Sequence, residues 1–240
     1  MQTHTFFRPA VAMIELIFAI VIMAVVLMSA PRLMQIAASS GYVAMQQEGI
    51  GEAASRVNMI MAYPWDENNA DESFYSTILR VNKGAPDLNI TASNKRIGTP
   101  ARANRTFLRK DGITLAASAI LGKDGAENPD DIDDFTGEAI HMHDYSGGTA
   151  TSDYIEKSFD ITMTATVKYL KDAVTGSYQQ SDIIFDFDPS ETVSALNTSN
   201  IKMIEVTLVS SSGTEELKKE ITLRAFSSNV GSYELEKKVF

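Results

Sequence analysis

Apolar positions are unevenly spread along this chain. From Ala10 to Pro31 they form a nearly unbroken run, AVAMIELIFAIVIMAVVLMSAP, with Glu15 as its only charge. Val11 to Ala30 is twenty residues, about 30 Å of α-helix at roughly 1.5 Å per residue, which matches the hydrocarbon thickness of a bilayer. Beyond it the pattern changes to a broken helical stripe: Met34, Ala37, Ala38, Met45, Ile50, Ala53, Ala54, Val57, Ile60 and Met61, interleaved with Gln, Glu and Arg. In the second half the period drops to two. Phe159, Ile161, Met163, Ala165, Val167 and Tyr169 alternate with Asp160, Thr162, Thr164, Thr166 and Lys168, which is the mark of a half-buried strand.

These patterns predict one long helix followed by a sheet. Pro31 leaves two readings, a kink within the helix or its end, since a proline removes one backbone donor and crowds the preceding turn. The stripe beyond it favours continuation to about Ala62, with Gly41, Gly49 and Gly51 each weakening the helix by about 1 kcal/mol relative to alanine and inviting a bend. Ala62-Tyr63-Pro64 then ends the pattern, because the residue before a proline avoids the helical region. Trp65 is either a core residue pinning this end of the helix or an exposed partner contact. Phe74, Tyr75, Ile78 and Leu79 have helical spacing and precede a polar, basic loop at Asn94 to Arg109.

Further strands are predicted at Ile183, Phe185 and Phe187, at Ile204, Val206 and Leu208, and at Leu217, Ile221, Leu223 and Ala225, the last two flanking the turn Ser210-Ser211-Ser212-Gly213. Three or four consecutive antiparallel strands expose one apolar face that needs a cover, and the amphipathic part of the helix is available for it. The predicted fold class is therefore α+β, a long N-terminal helix that passes from hydrophobic to amphipathic and packs on an antiparallel head. The chain divides into residues 1–10, a spanning segment 11–30, an amphipathic continuation 31–62, and a head 63–240 with its sheet mainly in 159–226.

Charge and candidate chemistry narrow the function. With 21 basic and 31 acidic residues the net charge is −10, which repels a phosphate backbone, so nucleic acid is not an expected partner. The 240 residues contain no cysteine, which removes disulfides, thiolate metal sites and cysteine nucleophiles. The loop GKDGAENPDDIDDFTGE from Gly122 to Glu138 gathers Asp124, Asp130, Asp131, Asp133 and Asp134. Such carboxylates would suit calcium, although the spacing is not that of an EF-hand, and the other reading is a solvated acidic loop. His141 and His143 share one face of a strand, with Asp144 beside them, either part of a metal site or a polar edge. No phosphate loop, nucleophile elbow or HExxH motif is present, and neither an enzyme nor a resident cofactor is expected.

Glu15 is the informative residue of the N-terminal run. A carboxylate near the centre of a spanning helix costs roughly 2.5–3.5 kcal/mol, and less near an end. It either reaches the headgroup region or pairs with a positive group supplied by another copy. A secretory signal peptide fits poorly, since the apolar core is long and Pro31 follows the only small-x-small site, Met28-Ser29-Ala30.

The run RPAVAMIELIFAIVIMAVVLMSAP, with its short basic leader and glutamate five residues after a small residue, resembles the class III signal of type IV pilins and type II secretion pseudopilins. Met13-Ile14-Glu15-Leu16 carries the match; Ala10 stands where the family most often has glycine, and Val11 where it most often has phenylalanine. The resemblance implies cleavage by a prepilin peptidase between Ala10 and Val11, methylation of the new Val11 amine, and pairing of Glu15 with a neighbouring subunit's amino terminus during assembly. Pro31 lies where pilin helices commonly kink. The implied partners are other pilin or pseudopilin subunits, the peptidase and an inner-membrane assembly platform. The implied location is a single-pass inner-membrane protein, amino terminus in the cytoplasm and head in the periplasm or beyond, in a pilin-like α+β fold. Lack of cysteine and a large, irregular head favour a minor pilin or pseudopilin. The alternatives are an uncleaved, membrane-anchored binding protein or adhesin, and a tethered hydrolase using the acidic loop with His141 and His143.

Overall fold

In the computed structural model a single helix, α1 (Arg8–Met61), occupies the N-terminal quarter of the chain and passes through Pro31. The residues described are 8–69, 76–100, 103, 105–125, 128–143, 160–185, 188–210 and 220–231. Helix formers on both sides of Pro31 carry α1 past the lost hydrogen bond, and it stops at Met61, just before the Tyr63-Pro64 step. Among the described residues this is the one helix long and apolar enough to cross a membrane.

The chain forms two compact units, Met1–Glu48 and Gly49–Phe240. In the first, the large apolar side chains from Met13 to Ile36 are exposed, Leu27 at 71% and Met28 at 81%. The second unit holds the last turns of α1 and the sheet.

Four strands form an antiparallel sheet in chain order, β1 (Ala139–His143), β2 (Asp160–Leu170), β3 (Ile201–Ser210) and β4 (Glu220–Ser228). The fold class is α+β. The register explains the alternation along β2: Met163 lies opposite Leu208, Ala165 opposite Val206 and Val167 opposite Ile204, so their side chains share one face. Ile140 of β1 and Ile221, Leu223 and Ala225 of β4 extend that face. Ala53, Val57 and Ile60 of α1 join the same cluster, as do Trp65, Ile132 and Phe135. Spacings of four and three keep the helical members on one stripe.

Gly49 belongs to that stripe for a reason its low helix propensity hides. A Cβ there would lie 3.0 Å from Leu208 Cδ1 and 3.2 Å from Ile161 Cδ1, so the missing side chain permits close approach to the sheet. Gly51 has nothing within 4 Å of the same added atom.

Several expectations differ from the structure. Residues 183–185 do not form a sheet strand: Ile183, Ile184 and Phe185 are exposed, and Ile184 makes one isolated bridge with Thr175. The inner strands β2 and β3 are paired on both sides, so an alternating segment between them in sequence finds no edge there. Ile78 and Leu79, whose spacing left their structure open, are buried and lie outside any helix. Leu79 is held by the amide of Asn229, which accepts from Leu79 N at 2.9 Å and donates to Leu79 O at 2.8 Å. The positions Phe74, Tyr75, Asp144, Phe159, Phe187, Ser211, Ser212, Gly213 and Leu217 lie outside the described residues.

Two glycine variants check this packing. Gly49→Leu should destabilise the folded head by about 1–3 kcal/mol through overpacking, whereas Gly51→Ala should stabilise it by roughly 0.5–1 kcal/mol. Urea unfolding of both against the parent measures the difference, and equal effects would contradict the close approach at Gly49.

Candidate functional site

Two places concentrate chemistry, one in each unit. In the first, Ala10 and Val11 lie in the opening turns of α1 and Glu15 one turn further on. Positions 11 and 15 are four apart and therefore share a helix face. Glu15 is exposed, as are Met13, Ile14, Leu16, Ile17 and Phe18 around it. A lone carboxylate in an exposed apolar surface can accept hydrogen bonds and attract a cation, and in a low-dielectric medium that attraction strengthens several-fold.

The second place arises from the alternation of β3 itself. Counting back by two from Ile204 on the core face arrives at Lys202, which is opposite Tyr169 of β2. Its side chain is completely buried. A buried ammonium needs partners, and Lys202 has them from two loops. Nζ donates to Trp65 O at 2.7 Å, to Asp66 Oδ2 at 3.0 Å and to Asp133 Oδ1. It also lies 4.6 Å from the centroid of the Trp65 ring and 5.3 Å from that of Tyr169, within cation–π range.

The carboxylates are themselves held. Asp66 Oδ1 and Oδ2 accept from Ser118 N, and Oδ1 accepts also from Ser118 Oγ at 3.1 Å and Asn68 N at 3.2 Å. The Tyr169 hydroxyl donates to Ser118 O at 2.8 Å and lies 3.3 Å from Asp66 Oδ2. Asp131 Oδ1 accepts from the backbone N–H groups of Asp133 and Asp134, fixing the short 3-10 turn Asp133–Phe135. Phe135 of that turn meets Tyr63 edge to face, and Arg56 lies over its ring and pairs with Glu138.

Burial pushes the Asp131 carboxyl up to about 7, with the Asp133 carboxylate adding to the rise. Asp133 is also raised, by burial first and by the charge of Asp66, against the pull of Lys202. Burial, with the carboxylate of Asp66 next, moves the Tyr169 hydroxyl above its ordinary range. Three acidic groups around one ammonium cannot all ionise without excess negative charge in a dry interior.

The acidic loop is therefore solvated only in part. Asp131, Asp133 and Asp134 are buried, while Asp124 and Asp130 are exposed. Asp134 Oδ2 accepts from the backbone N–H groups of Asp130 and Asp131, and Asp133 pairs with Lys202. Among the described residues no three His, Cys, Asp or Glu side chains form a group suited to a metal ion. His141 and His143 are two positions apart on β1, opposite Thr162 and Asp160 of β2, and His141 Nδ1 is 3.1 Å from Thr162 Oγ1. Trp65 is a core residue, as one of its two readings held, and its Nε1 donates to Ser227 O at 3.2 Å. Lys202 and Asp66 were missed because a charged residue normally ends an apolar alternation; extending the β3 period two residues toward the N-terminus would have found the lysine.

Two variants test the cluster. Lys202→Met leaves Asp66 and Asp133 buried without a cation and should cost about 3–5 kcal/mol, much of which Lys202→Met/Asp66→Asn/Asp133→Asn should restore. Asp131 binds its proton more tightly folded than unfolded, so its contribution is full below about pH 4 and is lost as the pH rises toward 7. Asp131→Asn should abolish that fall, measured as the wild-type minus variant unfolding free energy between pH 4 and 8.

Comparison of the chain with protein-family models, with curated proteins and with solved structures gives no match.

Proposed function

We propose that this chain is a minor pilin or pseudopilin, a structural subunit that works by assembly through its N-terminal helix. The observation that carries the reading is Glu15, a single carboxylate four residues after Val11 in an otherwise apolar and exposed helical surface. In a bilayer such a group is costly, roughly 2.5–3.5 kcal/mol at the centre, and a cation from a neighbouring copy offsets that cost. A new amino terminus at Val11 supplies one. Cleavage between Ala10 and Val11 removes the basic leader, methylation modifies the amine, and the helix stays in the inner membrane until an assembly platform draws it into a filament. There the exposed apolar run becomes the contact between subunits, and the head lies on the far side of the membrane.

The length of α1 and the antiparallel head support this reading, and the resemblance at residues 8–31 gives it its particular form. The rival is an anchor that is never cut, holding a binding head at the membrane.

Amino-terminal mass spectrometry on protein recovered from cells that contain a prepilin peptidase separates the two. A chain beginning at Val11 is expected, and an intact leader would overturn the proposal. Glu15→Ala should still insert in the membrane and should lose incorporation into filaments by tenfold or more, since each 1.4 kcal/mol of lost pairing is a factor of ten; unchanged incorporation would remove the role assigned to Glu15.

A further inference from the structure

The second unit contains a group that the assembly reading leaves unused. Lys202 is a primary amine with no exposed surface, on a central strand, aimed at two carboxylates and enclosed by two aromatic rings. An ion pair in such a place is expensive, because neither charge is hydrated and their mutual attraction need not repay the loss. Condensation would remove both charges of that pair and leave Asp66 held by the N–H groups of Asn68 and Ser118 and the Ser118 hydroxyl.

We propose that Lys202 and Asp133 condense into a side-chain amide, Nζ bonded to Cγ, with Asp66 as the proton carrier. The reacting groups are already in contact, since Nζ donates to Asp133 Oδ1, whose carbon is one bond away. Holding them there makes the step intramolecular, which raises the effective concentration by about 10⁵–10⁸ M for well-oriented pairs. The site also excludes bulk water: Lys202 and Asp66 have no exposed side-chain surface and Asp133 is 4% exposed, so the product is protected from hydrolysis.

The step balances without any further reagent. Within the ion pair a proton passes from Lys202 Nζ to the Asp133 carboxylate, giving a neutral amine and a neutral carboxylic acid. Burial and the negative charge of Asp66 favour the protonated form of Asp133. The lone pair of Nζ then attacks Cγ and a C–N bond forms. Asp66, whose Oδ2 is 3.0 Å from Nζ, takes a proton from the nitrogen and returns it to the departing hydroxyl as the C–O bond breaks. One water leaves, and no electron is gained or lost. Asp66 is suited to this because Ser118, Asn68 and Tyr169 fix its orientation.

The amide would link β3 to the Asp133–Phe135 turn, positions 69 residues apart in the chain. In a protein without cysteine it would take the place of a disulfide as a covalent staple.

Tryptic mapping of the purified full-length protein, after denaturation, is the test. The expected product is one branched peptide, residues 124–157 joined to residues 172–218, lighter than the two together by one water and uncut after Lys202. Recovery of residues 124–157 and 172–202 as separate, unmodified peptides would overturn the proposal and leave an ion pair. Lys202→Arg, which cannot condense, should give no branched peptide. Asp66→Asn, which keeps the outline of the side chain but lacks the base, should lose most of it; a full yield in this variant would overturn the role of Asp66. The wild-type digest decides the existence of the bond whether or not the variants fold, and it is independent of cleavage at Ala10.

Discussion

Everything around the C-terminal end of α1 depends on one buried amine. Lys202 is where three separate parts of the head meet: the Trp65-Asp66 turn that follows the helix, the 3-10 turn Asp133–Phe135, and the two central strands of the sheet. Each of these has its own local logic of turn or ladder, yet none fixes its position relative to the others. The Lys202 nitrogen does so by touching the Trp65 carbonyl and two carboxyl groups at once, and a displacement of any one leaves a polar group unpaired in a dry interior. The aromatic rings of Trp65 and Tyr169 then enclose it, which strengthens each contact by lowering the local dielectric. Specificity of arrangement is obtained here at a cost in charge burial.

That cost explains the neighbouring residues. Asp66 is braced by Ser118 and Asn68, and Asp131 spends one oxygen on two backbone N–H groups, so that acidic side chains with few free lone pairs surround the cation. The raised Asp131 carboxyl belongs to the same logic, since it is buried beside Asp133 where two carboxylates already outnumber one basic group, and a third full negative charge would add to the excess.

How legible was this in the sequence? The helix and its end near Tyr63-Pro64, the strand of β2, and the pairing of β3 with β4 follow from period and turn chemistry, because each is a local property of a few adjacent residues. Gly49 was read as a weak point and is instead a contact surface, since propensity describes an isolated helix and not one laid against Leu208 and Ile161. The run at Ile183 to Phe187 has strand periodicity, but a strand also needs a free edge, which sequence does not display. Asp133 was visible only as one acid among many; its partner lies 69 positions away, and that distance hid the cluster. Glu15, by contrast, stands out without any tertiary information, because an ionisable residue in a long apolar run is conspicuous by itself.

The two sites differ in kind. Lys202 concerns how the head holds its shape, while Glu15 carries the proposed assembly, which rests on its meeting the amine of a neighbour. Zero-length carbodiimide coupling in intact cells, followed by mass spectrometry of the N-terminal peptides, addresses that contact directly. The expected product is a peptide in which Glu15 of one copy is joined to the terminal amine of an adjacent subunit cut at its own leader. Peptides that begin at Met1, with Glu15 unlinked, would contradict it.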